Sequence, residues 1–391
     1  MSKFFVPFKE IQSNLLFKLI IVLIFLSIYF MFSSTVILSL DLYGNPYRFG
    51  LMHFIWLLIG YIFLNFFYKF DVQNLKKYSF ILYFGSLLLL GILALSKLYP
   101  CESAISFAPC NKGAIRWFVI NPKPLPEIPF IGQITFQPSE LAKISLVILL
   151  SYIFSSVKFN TDEKILKSAI FALPIIMLVF FQPNKSTSLI LFAIFCGIFY
   201  VNGEKIKKIT YFLIPFLLVF IFFMINNNYS YSRLSTFLET NTNESENYHQ
   251  NQALISVGSG GLTGVGVGKS RQKFSFLPEI PSDSIFALIS EEVGFIGSSL
   301  IVILYFSIIY QGFKISIYQK DKFSQFLGIG ITVWLGVQTL INFLSMVGLV
   351  PLTGIPLPIL SYGGSSTIFV MIGLGLLLNL SKNVYGKKYE K

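Results

Sequence analysis

Four carboxylates stand close together in the stretch LPEIPSDSIFALISEEVGFIG, residues 277–297: Glu279, Asp283, Glu291 and Glu292. The stretch begins as a Pro- and Ser-containing loop and turns into an apolar helix, so these acids fall at the lip and in the body of that helix. Asp283 sits at the boundary. An aspartate there either caps the helix N-terminus or, partly desolvated at the rim of a polar site, serves as a general base. Glu291 and Glu292 follow about 12 Å deeper by helical rise. A pair of acids at that depth in an apolar setting has to face protein interior or water. The group therefore predicts a polar cavity with Asp283 at its mouth.

A second ionisable pair lies in QPSELAK, residues 137–143, where Glu140 and Lys143 are three apart on one helix face and can pair. Either the pair is purely structural, or Lys143 turns its ammonium into a polar cavity to hold an anionic substrate. The glycine run GLTGVGVGKS (261–270) fails as a phosphate-binding loop, because G-x-x-x-x-G-K-[ST] requires glycine where Thr263 stands. A flexible hairpin or amphipathic turn is the expected use. Only two histidines, His53 and His249, and three cysteines are present, with no Cys/His cluster of zinc type. Carboxylates alone could hold Mg²⁺ or Mn²⁺ together with substrate phosphates.

The elements that must position these groups follow from composition. Of 391 residues, 54% are apolar and 12% charged, too little charge to cover a soluble protein of this length. Runs of about 20 apolar residues, each sufficient to span a bilayer as a helix, recur at 15–40, 50–68, 78–96, 134–155, 165–182, 186–203, 209–226, 284–312, 324–347 and 365–381. Lipid satisfies no backbone polar group, and the segments are too long and uniformly apolar for barrel strands. The expected class is an all-α polytopic membrane protein of ten transmembrane helices, a single membrane domain over 1–391. The first apolar run is too long for a cleavable signal peptide and lacks a small-residue cleavage site.

Charge gives the orientation. With ten spans, the loops on the side of the termini hold 19 of the 30 basic residues, against 10 on the other side and Lys143 within a span. Both termini are therefore expected in the cytoplasm, and the net charge of +12 reads as a topology signal rather than a nucleic-acid footprint. Arg48, Arg116, Arg233 and Arg271 all fall on the outer side. Arginine favours bidentate contact with phosphate or carboxylate, so an anionic ligand on that face is one reading; chance among four residues is the other. Two long outer segments stand out, about 97–133 and 227–283, with a short Pro- and Gly-dense outer loop, VPLTGIPLPILSYGGSS. Structured segments of such length are usually functional. Cys101 and Cys110 share the first of them, as a disulfide or as two free thiols, while Cys196 lies in a span.

GAIRW (113–117), FQPSELAK (136–143), the glycine run leading into LPE…D…FA…SEEVGFIG (277–297) and GLVPLTGIPLPILSYGGSS (348–366) resemble, in type and order, the motifs of the FtsW/RodA/SpoVE, or SEDS, proteins of bacterial cell-wall synthesis. The resemblance covers roughly 110–145 and 250–382. It implies a peptidoglycan glycosyltransferase in the bacterial cytoplasmic membrane that polymerises lipid II, an undecaprenyl-pyrophosphate disaccharide-pentapeptide, on the outer leaflet. Asp283 would take the proton from the acceptor sugar hydroxyl. Arg116, Lys143 (with Glu140 as its partner) and Arg271 would neutralise the pyrophosphate, with or without a divalent cation. The same motifs bring Gln137, Ser139, Glu279, Ser361, Gly363, Gly364 and Ser365 into the substrate-binding set. Partners implied are a class B penicillin-binding protein and other divisome or elongasome proteins.

Departures from the family pattern are visible. Ile115 stands where a second arginine is usual, NPKPLPEIPF lengthens the segment after Trp117, and QPNKST carries Asn184 and Ser186 in place of an acid and a glycine. IPS precedes Asp283 in place of the commoner A-H-T. The wording of PLTGIPLP…SYGGSS and FALISEEVGFIG leans toward the division (FtsW) branch. A lipid II flippase, a polymerase or ligase for another lipid-linked glycan, and a non-catalytic divisome scaffold are the competing functions.

Overall fold

The computed structural model describes residues 15–96, 106–110, 114–122, 125, 132–203, 206–226, 244–274 and 277–385. Eleven α-helices occur among them: α1 (Leu15–Tyr43), α2 (Arg48–Lys69), α3 (Leu75–Ser96), α4 (Pro138–Ser155), α5 (Thr161–Phe181), α6 (Lys185–Val201), α7 (Ile206–Asn226), α8 (Glu244–Ser259), α9 (Ile285–Ile317), α10 (Lys322–Met346) and α11 (Gly364–Tyr385). Eight are long and apolar enough to cross a membrane: α1 to α5 and α9 to α11. The expected sixth and seventh spans are helical too, but their apolar stretches, Lys185–Val201 and Thr210–Phe222, are shorter. The expectation of ten spans is thus met in length by eight.

Helix boundaries follow local chemistry. Asn160 and Glu163 form a reciprocal capping box at the start of α5. Asp321 accepts from Ser324 N to start α10, and proline stands in the first turn of α4, where its missing N–H costs nothing. One short hairpin interrupts the helical pattern: β1 (Phe118–Val119) pairs antiparallel with β2 (Thr135–Phe136), Phe118 opposite Phe136. Asn121 closes it, accepting from Ile134 N at 2.7 Å. Within the same long segment Cys110 is disulfide-bonded while Cys196 is a free thiol, which takes the disulfide alternative; Cys101 and Arg233 lie outside the described residues.

α10 is packed against α4, α6, α9 and α11, with Trp334, Leu327 and Ile331 almost fully enclosed. α11 lies along α2. Lys76, near the start of α3, meets Asp321 at one end of the bundle, and Lys382 meets Tyr68 O at that same end.

α9 is two helices rather than one. Gly294 (φ 67°, ψ −170°) breaks it into a nine-residue head, 285–293, and a longer remainder. The glycine run fills the break. Val265 N and Gly266 N donate to the carbonyls of Glu291 and Glu292 at 3.0 and 3.1 Å, and Phe295 N and Ile296 N donate to Gly261 O and Leu262 O at 2.9 and 3.1 Å. A Cβ on Gly264 would run into Glu292 O, and one on Gly294 into Gly264 N. The run is therefore neither a flexible hairpin nor a phosphate loop. It is a wedge whose backbone satisfies the groups that the helix break leaves open. α8, which lies in the long segment 227–283 and outside the apolar runs, is beside the head of α9, with Ser256 Oγ donating to Ala287 O at 3.0 Å.

Candidate active site

Asp283 stands at the head of the short half of α9, held by its neighbours from three directions. Before it, Glu279 takes a left-handed conformation (φ 53°), and its carbonyl accepts from Ser282 N and Ser284 N at 3.0 and 3.3 Å. The Ser282 hydroxyl lies 3.1 Å from Glu279 Oε2 and 3.3 Å from Asp283 Oδ1. Beneath it, Asn342 Nδ2 of α10 donates both to Asp283 O (2.9 Å) and to Ile355 O (2.8 Å). Across from it, Tyr362 N donates to Pro281 O at 2.6 Å. The residue at the N-cap position of α9 is Ser284, and it makes no side-chain cap bond. The capping reading of Asp283 is therefore displaced. Its carboxyl is buried in a loop at the positive end of a short helix, and Gly354 is the neighbour whose Cβ would lie 3.9 Å from Oδ2.

Lys143 and Glu140 pair at 2.7 Å, with side chains 2% and 5% exposed. The ammonium also donates to Gln338 Oε1 at 3.0 Å and lies 4.9 Å from the Trp334 ring. Gln338 accepts a second bond, from Trp334 Nε1 (2.9 Å), and donates to Pro356 O (3.0 Å). Gln338 and Asn342, one turn apart on α10, thus hold the segment 351–363 by its backbone and join the Lys143 group to Asp283. Sequence reasoning missed both. The signal was two carboxamides at i and i+4 inside an apolar span, where each needs a buried partner.

The other expected residues divide. Gln137 N donates to Ser365 Oγ (3.3 Å), which itself donates to Thr135 O (2.9 Å). Ser139 Oγ accepts from Asn184 Nδ2 at 3.5 Å, and Asn184 caps α6 through Thr187 N. Ser361 Oγ accepts from Leu357 N at 2.8 Å. Those contacts build the walls. Arg116 joins them, its Nη2 donating to Pro183 O at 2.6 Å. Gly364 is a packing glycine: a Cβ there would meet Trp56 Cε2 at 2.7 Å. Gly363 has open space apart from Ser366 Cβ at 3.5 Å, which leaves its backbone approachable.

Glu291 and Glu292 do not extend the cavity, contrary to expectation. Glu291 accepts from Ser270 Oγ (2.5 Å), Arg271 N (3.0 Å) and Gln272 N (3.4 Å), and Glu292 accepts from Ser33 of α1 at 3.2 Å. Both acids anchor the glycine wedge. Arg271, exposed, has its backbone fixed beside Glu291, about 12 Å of helical rise from Asp283. It is not part of the Asp283 group.

Around the segment 353–356, three buried oxygens have no hydrogen-bond partner among the described residues: Glu140 Oε2, Asn342 Oδ1 and Thr353 Oγ1. A buried acceptor left unpaired costs about 1–3 kcal/mol, so Glu140 Oε2 and Asn342 Oδ1 each call for a donor, whereas the Thr353 hydroxyl can also donate. The Asp283 carboxyl, buried on the loop that Asn342 holds, is suited to receive a proton from a bound hydroxyl. Tyr362, on the same segment, is no rival base, because burial pushes its phenol up to about 12.

An all-α bundle with a buried aspartate at the head of a broken helix defines the class. The sequence profile of the FtsW/RodA/SpoVE cell cycle proteins matches residues 13–386, and the chain belongs to that family. It is 30% identical over 392 residues to the probable peptidoglycan glycosyltransferase FtsW of Wigglesworthia glossinidia brevipalpis, covering 96% of this chain and 95% of that one. It is 33% identical over 257 residues to stage V sporulation protein E of Bacillus subtilis, covering 64% and 70%. Among solved structures, a chain from a peptidoglycan synthase complex superposes with TM-score 0.70 at 22% identity, over 94% of this chain and 98% of that one. The rod shape determining protein RodA of Thermus thermophilus gives 0.65 at 23%, over 94% and 96%. These two likenesses establish the fold.

Proposed function

We propose that this protein is a peptidoglycan glycosyltransferase that polymerises lipid II on the outer face of the bacterial cytoplasmic membrane, with Asp283 as general base. The observation that carries the reading is the buried Asp283 at the head of the nine-residue half-helix, on a loop held by Asn342, whose own side-chain oxygen has no partner among the described residues. Membership of a family with relatives named peptidoglycan glycosyltransferase supports the reaction class.

The chain's own residues divide the work as follows. Asp283 takes the proton of the acceptor sugar hydroxyl as that oxygen attacks the donor sugar carbon and the diphosphate leaves. Asn342 holds the backbone carbonyl of Asp283, and the Ser282 hydroxyl lies against its carboxylate. Arg116, anchored on Pro183 O, offers a fixed cation to the diphosphate. Lys143 keeps the floor in place through Glu140 and Gln338, and its charge is matched in the resting protein. Among the described residues no three His, Cys, Asp or Glu side chains gather to cage a metal. A divalent ion of the kind held by one or two carboxylates and substrate phosphates would find Asp283 and Glu279 here, and would neutralise the leaving diphosphate. Sequence lean and FtsW-named relatives favour septal synthesis with a class B penicillin-binding protein as partner. Ten spans with cytoplasmic termini complete the reading, supported by the lysine asymmetry.

The test is lipid II polymerisation by the purified protein with its transpeptidase partner, beside Asp283→Asn. Glycan strands from the wild type that vanish in the variant are expected. Strands that persist in the variant would remove Asp283 from the chemistry, and a folded complex that makes none would favour a flippase or scaffold.

A further inference from the structure

His53 on α2 is fully buried, and the reaction assigned above makes no use of it. Its Nε2 lies 2.6 Å from Ser27 Oγ of α1, and the same hydroxyl donates to Ile359 O at 2.7 Å. A hydroxyl has one proton and a carbonyl can only accept. The Ser27 proton therefore lies toward Ile359 O, and the proton between serine and imidazole belongs to Nε2. Nδ1 is then a bare acceptor, in keeping with that atom being buried without a partner among the described residues. The proton order of the chain is fixed: His53 Nε2–H to Ser27 Oγ–H to Ile359 O.

What it grips is a residue under strain. Ile359 has φ 69°, a left-handed conformation that a β-branched residue rarely adopts. Such strain persists only where neighbours over-determine it. Tyr305 OH holds the preceding carbonyl, Pro358 O, at 2.6 Å, and Ser27 holds Ile359 itself. The turn so fixed delivers Tyr362 N to Pro281 O at 2.6 Å, two residues before Asp283. The face of α2 that carries His53 also seats the Tyr362 ring, with Phe49 edge-on at 5.5 Å.

We propose that Ser27 and His53 are positioning residues for glycosyl transfer: a proton-ordered clamp from the first two helices that holds the strained turn at Ile359, and through Tyr362 and Pro281 the loop of Asp283. The inference rests on Asp283 being the base. It touches no substrate, so its loss should be read in turnover rather than in substrate affinity.

The experiment measures lipid II polymerisation and thermal unfolding for the full chain with Ser27→Ala, Ser27→Thr, His53→Phe and His53→Gln, beside wild type and Asp283→Asn. Ser27→Ala and His53→Phe should lower kcat about ten-fold or more, the scale expected when a reacting group is misplaced by less than 1 Å, with KM within about two-fold. Ser27→Thr, which keeps the hydroxyl, and His53→Gln, whose amide can still donate to it, should recover most of the rate. Wild-type kcat in folded Ser27→Ala or His53→Phe overturns the clamp, as does a conservative variant no faster than its disruptive partner. Where the disruptive variants fail to fold, Ser27→Cys replaces them: a weaker donor of similar size must slow turnover, and an unchanged rate overturns the proposal. An inactive wild type, or an active Asp283→Asn, instead overturns the assignment of the base and the clamp with it.

Discussion

Removing one charge from the Glu140–Lys143 pair should be far more damaging than removing both. The two side chains are almost fully buried and 2.7 Å apart. Glu140→Gln leaves a buried ammonium facing neutral acceptors, the introduced amide oxygen and Gln338, with no counter-charge in the pair, and breaking such a pair costs about 3–5 kcal/mol. Replacing both partners by apolar groups of similar volume is often neutral or stabilising. Thermal unfolding in detergent should therefore show a clear loss for Glu140→Gln and a near-normal midpoint for Glu140→Leu/Lys143→Met. If the double variant is stable yet inactive, the pair serves the reaction; if it is active, the pair is structural. The pair was legible in sequence because two ionisable residues in an apolar span are conspicuous, and so was Asp283. Gln338, Asn342, Ser27 and His53 were not. Their partners are backbone carbonyls of a segment far away in the chain, and no side-chain pattern announces a carbonyl.

Helices are limited by what satisfies their ends, and that sets two predictions at the scale of the element. At the break in α9, Gly294→Ala forces a Cβ onto Gly264 N and a left-handed φ onto alanine. The cost should exceed the roughly 1 kcal/mol of conformational strain alone, and the midpoint should fall well below that of Gly363→Ala, whose Cβ meets only Ser366 Cβ at 3.5 Å. At the start of α10, burial alone would raise the Asp321 carboxyl, but bonds from Gln73 and Ser324 and the charge of Lys76 outweigh it and hold it below the ordinary 3.8. A depressed folded value means stability that is present above the unfolded pKa and lost as pH falls through the folded one. Asp321→Ala should lose about 1 kcal/mol near neutral pH, and wild type and variant should converge in acid. The apolar spans were readable from length and hydropathy. The break and α8 were not: the groups opened at Gly294 are satisfied by a segment about 30 residues upstream, and α8 is too polar to register as an apolar run.

For the molecule as a whole, the unequal ends are the argument. The lysines near α3, α10 and α11 gather at the end where Lys76 meets Asp321 and Lys382 meets Tyr68 O, while Asp283, Arg116 and the glycine wedge belong to the other. If the positive-inside bias sets orientation, the lysine end is cytoplasmic and a lipid-linked sugar reaches Asp283 from the outer leaflet. Two exposed positions can read this directly. Val157, 98% exposed between α4 and α5, belongs to the lysine end, and Leu262, 70% exposed on the wedge, to the other. With Cys196 replaced by serine, Val157→Cys and Leu262→Cys each add one thiol to the native disulfide-bonded background. A membrane-impermeant maleimide applied to intact spheroplasts should label Leu262→Cys at once and Val157→Cys only after the membrane is opened. The reverse pattern would invert the molecule and bring Asp283 to the cytoplasmic leaflet, which no extracytoplasmic polymerase could use.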